Sequence, residues 1–347
     1  MTNAEPPTPN PTSRLRWFTP TRIAGLGLII LVTVLLILWI APAHGYQIEF
    51  VDPAHPVAPL VSLKGERPSR SKGSIYFVDV PYRPARLIER ILPWARPDGA
   101  SLVQAPDISS ALDRRLGQQE MSDSQKIAPY VALKLLGYKV SARSGGVTIL
   151  AVELHAPAAR VLQPGDVIVS VNGHPVKTIL ELRGLLADKH PGDEVTIRFR
   201  RDGKAHVATL KTAADPTDAK RAIIGVSALD DLQVKLPFPV RIDTGDIGGP
   251  SAGLAFALDI LQELGRNVAR GRRVAATGEL ALNGRVLPIG GVKQKTLGAR
   301  KAGVDVFLVP AGENAQEARR YADGLRIIPV ENLPQALRAL ATLGPKA

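Results

Sequence analysis

The sequence predicts a mixed α+β protein that is attached to a membrane by one N-terminal helix. Three observations lead to this prediction: an uncharged apolar run near the N-terminus, regularly spaced β-like segments in the middle of the chain, and a glycine-rich turn before an apolar helical segment further on. The chain has 347 residues and is 45% hydrophobic, so it is long enough to bury the cores of two or three domains.

Composition excludes several kinds of chemistry. The chain has no cysteine, which excludes disulfides, thiolate metal sites and a cysteine nucleophile. Its net charge of +12 comes from scattered basic residues, and this favours an anionic membrane surface over nucleic acid as a partner. We therefore expect no nucleic-acid binding, no metal and no cofactor.

The apolar run at 23–41, IAGLGLIILVTVLLILWIA, is predicted to be a transmembrane helix, because a helix needs about 20 residues to cross a bilayer. Three arginines precede the run and no Lys or Arg follows it before Lys64, so the N-terminus is expected in the cytoplasm and the rest of the chain outside the cell membrane. A cleaved signal peptide is the alternative, since Ala41-Pro42-Ala43 has the small-x-small shape of a cleavage site. The length of the run favours a retained anchor, because signal cores have roughly 7 to 15 residues.

The chain divides into five predicted regions. The first is rich in Pro, Thr and Asn and is expected to be a disordered cytoplasmic tail. After the helix, short β-like runs such as SIYFVDV alternate with prolines, which indicates a membrane-proximal β-rich segment. The boundaries are 1–22 for the tail, 23–41 for the helix, 42–120 for the membrane-proximal segment, 121–212 for a middle domain and 213–347 for a C-terminal domain.

The middle domain alternates short strands with turns. Strands are predicted at 147–154, 167–171 and 195–199, with an Asn172-Gly173 turn after the second and a helix at about 178–187. This order, and the stretch AARVLQPGDVIVSVNG above all, resembles a PDZ domain of the bacterial, protease-associated type.

The PDZ resemblance implies peptide binding. In that family an extended peptide adds as a strand beside a sheet edge, and N–H groups of a glycine-containing loop hold its terminal carboxylate. The corresponding loop here is Gly137, Tyr138, Lys139 and Val140, with a lysine where a second glycine is common. The alternative interpretation is that the domain is a structural spacer.

The C-terminal domain contains GDIGGPSAGLAFALDILQELG, in which glycines and a proline precede a serine. Leu254, Leu258 and Leu261 recur at helical spacing and Gly265 stands at the expected stop, so Ser251 is predicted at the first turn of an amphipathic helix. Such a turn offers N–H groups to an oxyanion, and the preceding glycines let a substrate backbone approach. The same pattern also fits a serine that only caps a helix.

A histidine base is excluded within this domain, because all six histidines lie before it, the last at His206. The nucleophile elbow of the α/β-hydrolases is excluded for the same reason. The lysines Lys293, Lys295 and Lys301 are the remaining candidates, since a lysine can accept a serine proton when burial lowers its pKa from about 10.4.

Three ordered motifs, GGPSAG, ATGELALNGRVLPIGGVKQK and AGVDVFLVPAGE, resemble the proteolytic domain of the Lon peptidase family. The resemblance implies that Ser251, which follows Gly249 and Pro250, is the nucleophile, that Lys295 is its base, and that Thr277 hydrogen-bonds the lysine. The order of membrane span, PDZ domain and this domain resembles the membrane-anchored PDZ-Lon proteases of bacteria, and family resemblance implies a hexamer. Protein or peptide segments are the expected substrates.

Two features depart from the family pattern. Many Lon domains have an acidic residue three positions before the serine, where this chain has Gly248, with Asp246 two positions further back. The sequence also has no GxxxxGK[ST] phosphate loop, so we expect cleavage without ATP. A non-catalytic membrane-bound PDZ adaptor with a structural Lon-like domain is the alternative function.

Overall fold

The computed structural model describes residues 20–63, 73–106, 108–215 and 218–344. Residues 1–19, most of the predicted cytoplasmic tail, lie outside the described residues. The chain forms two compact units, the first from residues 1–50 and 82–105 and the second from residues 51–81 and 106–347.

The secondary-structure elements within these ranges are mixed along the chain. The α-helices are α1 Pro20–Ile40, α2 Leu87–Ile91, α3 Ser110–Leu135, α4 Ile179–Ala187, α5 Gly253–Glu263, α6 Val292–Lys301, α7 Glu313–Arg320 and α8 Leu333–Ala341. The strands are β1 Pro42–Glu49, β2 His55–Pro56, β3 Val61–Leu63, β4 Ser74–Phe77, β5 Tyr82–Arg86, β6 Ser101–Gln104, β7 Ser141–Val152, β8 Val167–Val171, β9 His174–Pro175, β10 Glu194–Arg201, β11 Lys204–Lys211, β12 Ala213–Asp215, β13 Asp218–Ile223, β14 Val226–Lys235, β15 Val240–Ile242, β16 Arg273–Ala276, β17 Glu279–Leu280, β18 Val286–Leu287, β19 Val306–Pro310 and β20 Arg326–Val330.

The first unit combines the apolar helix with a small sheet. The helix α1 is apolar and long enough to cross a membrane, and a position near the N-terminus also suits a signal sequence. After the helix in the chain, three antiparallel strands form a sheet in the order β5-β1-β6, in which Ile48 is fully buried. These three strands lie within the segment that the sequence predicts to be β-rich.

The second unit contains a sheet in the order β11-β10-β8-β7-β14, with β9 paired to β8. The predicted strands, the helix and the Asn172-Gly173 turn are all present here, and Thr178 caps α4 through its side chain. The sheet also gains β14, which lies beyond the predicted boundary at residue 212. The middle domain is therefore completed by a strand from the segment that leads to Ser251.

A second sheet, in the order β2-β4-β16-β19-β20, forms the core of the C-terminal region. Because side chains alternate along a strand, neighbouring residues serve opposite faces: Leu308 packs in the cluster with α5 and α8, and Phe307 packs in the cluster with α6 and α7. The helix α5, which follows Ser251, and the helix α6, which carries Lys295, therefore lie on opposite faces of one sheet. The helix α5 is buried on every side, whereas the sequence predicted an amphipathic one.

The predicted membrane-proximal segment 42–120 is divided between the two units. Residues 51–81 belong to the second unit, where β4 lies between β2 and β16 in the C-terminal sheet and pairs in parallel with β16, Ser74 opposite Arg273. Residues 110–120 belong to α3, which is longer than the helix predicted at 121–136. The paired residues are about 200 positions apart in the sequence, and such pairing leaves no local pattern. The sequence therefore predicted the strand β4 but could not predict that it pairs with β16.

Candidate active site

Ser251 lies in the loop that enters α5, two residues before the first helical residue Gly253. Its side chain is half-buried. The loop bends at Gly249, whose φ of +90° is a conformation that favours glycine. The sequence predicted Ser251 in the first turn of the helix; in the structure it lies just outside the helix, one residue before the N-cap Ala252.

The helix α3 packs against the glycines before the serine. The carbonyl of Gly117 accepts a hydrogen bond of 2.7 Å from the N–H of Gly249, and Ser124 donates to the carbonyl of Pro250 at 3.4 Å. A Cβ atom added to Gly248 would meet the backbone of Gly117 at 3.1 Å. The position where many Lon domains have an acidic residue is thus filled by a helix backbone, which explains the glycine.

The carbonyl of Ser251 is fixed by the strand-end segment after β16. It accepts hydrogen bonds from the N–H of Gly278 at 2.8 Å and from the hydroxyl of Thr277 at 3.2 Å. In return, the carbonyl of Gly278 accepts the N–H of Leu254 at 3.1 Å. Thr277 therefore holds the backbone of the serine, and its expected contact with Lys295 stays a prediction.

Lys295 reaches the serine from α6. Its Nζ lies 2.7 Å from the Oγ of Ser251, and the residue is only 4% exposed. Lys293 lies two positions earlier, about 200° around the helix, with its ammonium 5.8 Å from the ring centre of Tyr321. The structure thus brings one lysine of the pair to Ser251 and directs the other elsewhere.

The segment 51–81 adds charged groups near Lys295. Burial raises the pKa of Asp79 and the nearby Asp52 raises it further, whereas His55 and Lys295 lower it. The Oδ1 atom of Asp79 is buried and has no hydrogen-bond partner among the described residues. His55 Nε2 lies 2.5 Å from Asp52 Oδ2 and 3.8 Å from Asp79 Oδ1. A carboxyl group therefore acts electrostatically on the buried lysine.

Sequence reasoning did not find the roles of Gly117 and Asp79. A glycine inside a helix often marks a close backbone approach, and that was the one local signal for Gly117. Asp79 follows β4, and its proximity to Lys295 arises only because β4 joins the C-terminal sheet.

The predicted carboxylate loop of the PDZ-like domain has a different local role. The N–H of Gly137 donates to the carbonyl of Lys134 and the N–H of Tyr138 donates to that of Leu133, both at 3.0 Å, so these groups cap α3. The ring of Tyr138 lies edge-on to that of Phe238, with 5.6 Å between ring centres. Two of the predicted donors for a peptide carboxylate are therefore already used, because α3 ends where the predicted loop begins.

The comparisons with known proteins identify two domains. Residues 134–212 match the PDZ domain family, and residues 218–342 match the family described as the Lon protease (S16) C-terminal proteolytic domain. The chain therefore contains a PDZ domain, a module that suggests peptide binding, and a Lon proteolytic domain, which supports a serine peptidase.

Individual relatives match over part of the chain. Lon protease 1 of Myxococcus xanthus is 42% identical over 27% of this chain and 12% of its own length. Lon protease 2 of Bacillus subtilis is 30% identical over 50% of this chain and 29% of its own length. The solved PDZ domain of the SdrC-like protein of Listeria monocytogenes is 30% identical, covers 24% of this chain and 87% of that chain, and has a TM-score of 0.23. The chain spans less than a third of the length of these Lon relatives.

Proposed function

We propose that this protein is a serine endopeptidase in which Ser251 is the nucleophile and Lys295 is the general base. The observation that carries the proposal is the 2.7 Å contact between Lys295 Nζ and Ser251 Oγ, made by a lysine that is almost fully buried. A buried ammonium loses solvation, so burial favours the neutral amine that a base requires. No histidine follows His206, and the contact with Ser251 Oγ is made by a lysine amine, which supports lysine as the base.

The proposed reaction is acyl transfer. Ser251 Oγ attacks the scissile carbonyl while Lys295 takes the hydroxyl proton, and Lys295 then gives that proton to the leaving amine. Water hydrolyses the acyl-enzyme with Lys295 again as base, which regenerates the serine.

The oxyanion donors are proposed to be the N–H groups of Ser251 and Ala252. The neighbouring N–H groups of Gly249, Gly253 and Leu254 already donate to backbone carbonyls. Those of Ser251 and Ala252 make no such bond to another described residue, and they lie where a helix entry favours negative charge.

We further propose that the chain cleaves unfolded or peptide segments without ATP, on the outer side of the cell membrane. The absence of a phosphate loop from this sequence supports the first part, and the arginines before the apolar run at 23–41 support the second. Protease added to intact cells should then degrade the region after residue 46 and spare an N-terminal tag. A mature chain that begins near His44 would instead show a cleaved signal peptide.

Five variants, one of them a control, test the dyad by cleavage of fluorescein-labelled casein. Ser251→Ala and Lys295→Ala should each abolish cleavage, and their combination should be no worse, because members of one catalytic unit fail together. Lys295→Arg should also be inactive, since a guanidinium does not deprotonate in proteins. Lys293→Ala is the matched control, with the same charge removed two residues away, and should retain most activity. Wild-type cleavage by Lys295→Arg would refute the dyad, and an inactive wild type would favour the adaptor alternative.

A further inference from the structure

The strand β14 lies along β7, the strand of the PDZ domain that follows directly after the predicted carboxylate loop. It pairs antiparallel with β7 along nearly the whole strand, from Val226 opposite Val152 to Lys235 opposite Ser141. PDZ domains accept a peptide as a strand added to a sheet edge. The chain's own strand thus fills the position that a peptide would take on β7.

The surroundings of β14 also match those of a bound peptide. The carboxylate of Asp230 accepts a 2.6 Å hydrogen bond from the N–H of Ile179, the first residue of α4, so the strand is held by the helix as well as by β7. Its C-terminal end lies beside the loop at 137–140, and the chain continues there through Phe238 onto the ring of Tyr138. An internal segment passes where a peptide would end.

The same strand connects the PDZ domain to the catalytic loop. Val226 and Ala228 pack against the PDZ core, whereas Val234 and Leu236 pack against the core that contains α5. From there the chain runs through β15 to Ser251. One end of β14 is therefore fixed by the PDZ domain and the other lies at the start of the segment that carries the serine.

We propose that β14 is a built-in ligand of the PDZ domain, which closes β7 to outside peptides and holds the Ser251 loop in its working position. The PDZ domain then serves as an anchor for the active site, in contrast to the substrate receptor that the sequence predicts. The occupancy of β7 stands on the strand pairing alone, whereas the effect on catalysis rests on the proposed peptidase function.

Occupancy is tested with a reversible cross-link in the full chain. Ser141→Cys/Lys235→Cys places two exposed cysteines opposite each other across β7 and β14, and the chain has no other cysteine. Arg198→Cys/Val207→Cys is the matched control across β10 and β11. Both pairs should oxidise completely and at similar rates, because directly opposed residues have Cβ atoms about 4.5–5.5 Å apart. Slow or partial oxidation of the first pair alone would overturn the proposal.

Closure is tested with a defined probe and a defined substrate. A fluorescein-labelled peptide of residues 226–235, VSALDDLQVK with a free carboxylate, should show no saturable binding to the wild type by anisotropy. The oxidised Ser141→Cys/Lys235→Cys protein should cleave labelled casein within twofold of its reduced form. Saturable binding that oxidation abolishes, or a loss of cleavage of tenfold or more that reduction restores, would show that β14 must leave β7 and would overturn the proposal.

The coupling to catalysis is tested by loosening β14 and then locking it. Asp230→Ala removes the contact with α4, so kcat should fall about three- to tenfold with KM unchanged. Adding the oxidised 141–235 cross-link should restore kcat, which a general loss of folding would not allow. An unchanged kcat, or a fall that the cross-link does not reverse, would refute the coupling. If the wild type cleaves nothing, the proposed function fails, while the cross-linking rates still decide the occupancy of β7.

Discussion

Asp259 places a carboxyl group in the middle of the buried helix α5, and its replacement should stabilise the protein. The residue is fully buried, and neither carboxylate oxygen has a hydrogen-bond partner among the described residues. Burial raises the pKa of Asp259 to about 7, with a further contribution from Glu263 one turn later. An ionised carboxylate at this site is therefore unfavourable at neutral pH.

The size and sign of the effect follow from proton linkage. The pKa rises from 3.8 to about 7 on folding, and each unit corresponds to about 1.4 kcal/mol, so the penalty reaches about 4 kcal/mol. Because the folded state binds the proton more tightly, this penalty is absent below pH 3.8, grows as pH rises through the interval, and is complete above about pH 7. Stability should thus decrease with rising pH across this range.

Asp259→Asn removes the charge with little change of shape. Its free energy of unfolding should exceed that of the wild type by up to about 4 kcal/mol at pH 8 and should differ little at pH 4. Urea denaturation followed by far-UV circular dichroism at a series of pH values measures this. The control is Asp246→Asn, at an exposed site in the same domain, which should leave the free energy of unfolding unchanged at both pH 4 and pH 8. Equal stability of the wild type and Asp259→Asn at pH 8 would refute the reasoning.

Two further predictions concern the active site. Gly248→Ala should lower kcat about tenfold, because the new Cβ would lie 3.1 Å from the backbone of Gly117 and displace the serine loop. The control is Gly290→Ala, whose Cβ meets nothing within 4 Å and which should keep wild-type activity. Equal kcat values for the two variants would contradict this packing argument. Asp79→Asn should shift the rise of the pH–rate profile toward lower pH, because it removes a negative charge that favours the ammonium form of Lys295. A profile that is unchanged or shifted to higher pH would show that Asp79 does not act on Lys295.

Sequence patterns predicted the local parts of this protein well. The apolar helix, the turns and strands of the PDZ domain, and the motifs around Ser251 and Lys295 all depend on residues within about 20 positions of one another. The Lon resemblance implied that these two residues act together, and the structure places them 2.7 Å apart, although one lies in the loop before α5 and the other in α6, on the opposite face of the sheet. The family motifs therefore predicted a contact between residues 44 positions apart, which the periodicity of apolar residues could not predict.

The partners of individual strands and helices could not be read from the sequence in the same way. The strand character of SIYFVDV was evident, but its neighbour β16 begins about 200 residues later. Likewise β14 was assigned to the C-terminal domain by its position in the chain, whereas its hydrogen bonds complete the PDZ sheet. A β-strand can satisfy its backbone groups on any available edge, so alternation of side chains indicates a strand without selecting the edge.

These non-local contacts converge on the loop that carries Ser251, the proposed nucleophile. The helix α3 accepts the N–H of Gly249 through Gly117 and then ends at the predicted PDZ loop, while β14 leaves the PDZ sheet and leads toward Ser251. The PDZ domain is therefore joined to the serine loop twice, by a helix on one side and a strand on the other. Two connections resist displacement of the loop better than one, because moving it would require breaking the Gly249–Gly117 hydrogen bond and the β7–β14 ladder together. This arrangement gives a physical reason for a PDZ domain to stand directly before a Lon proteolytic domain in which the loop before Ser251 is rich in glycine.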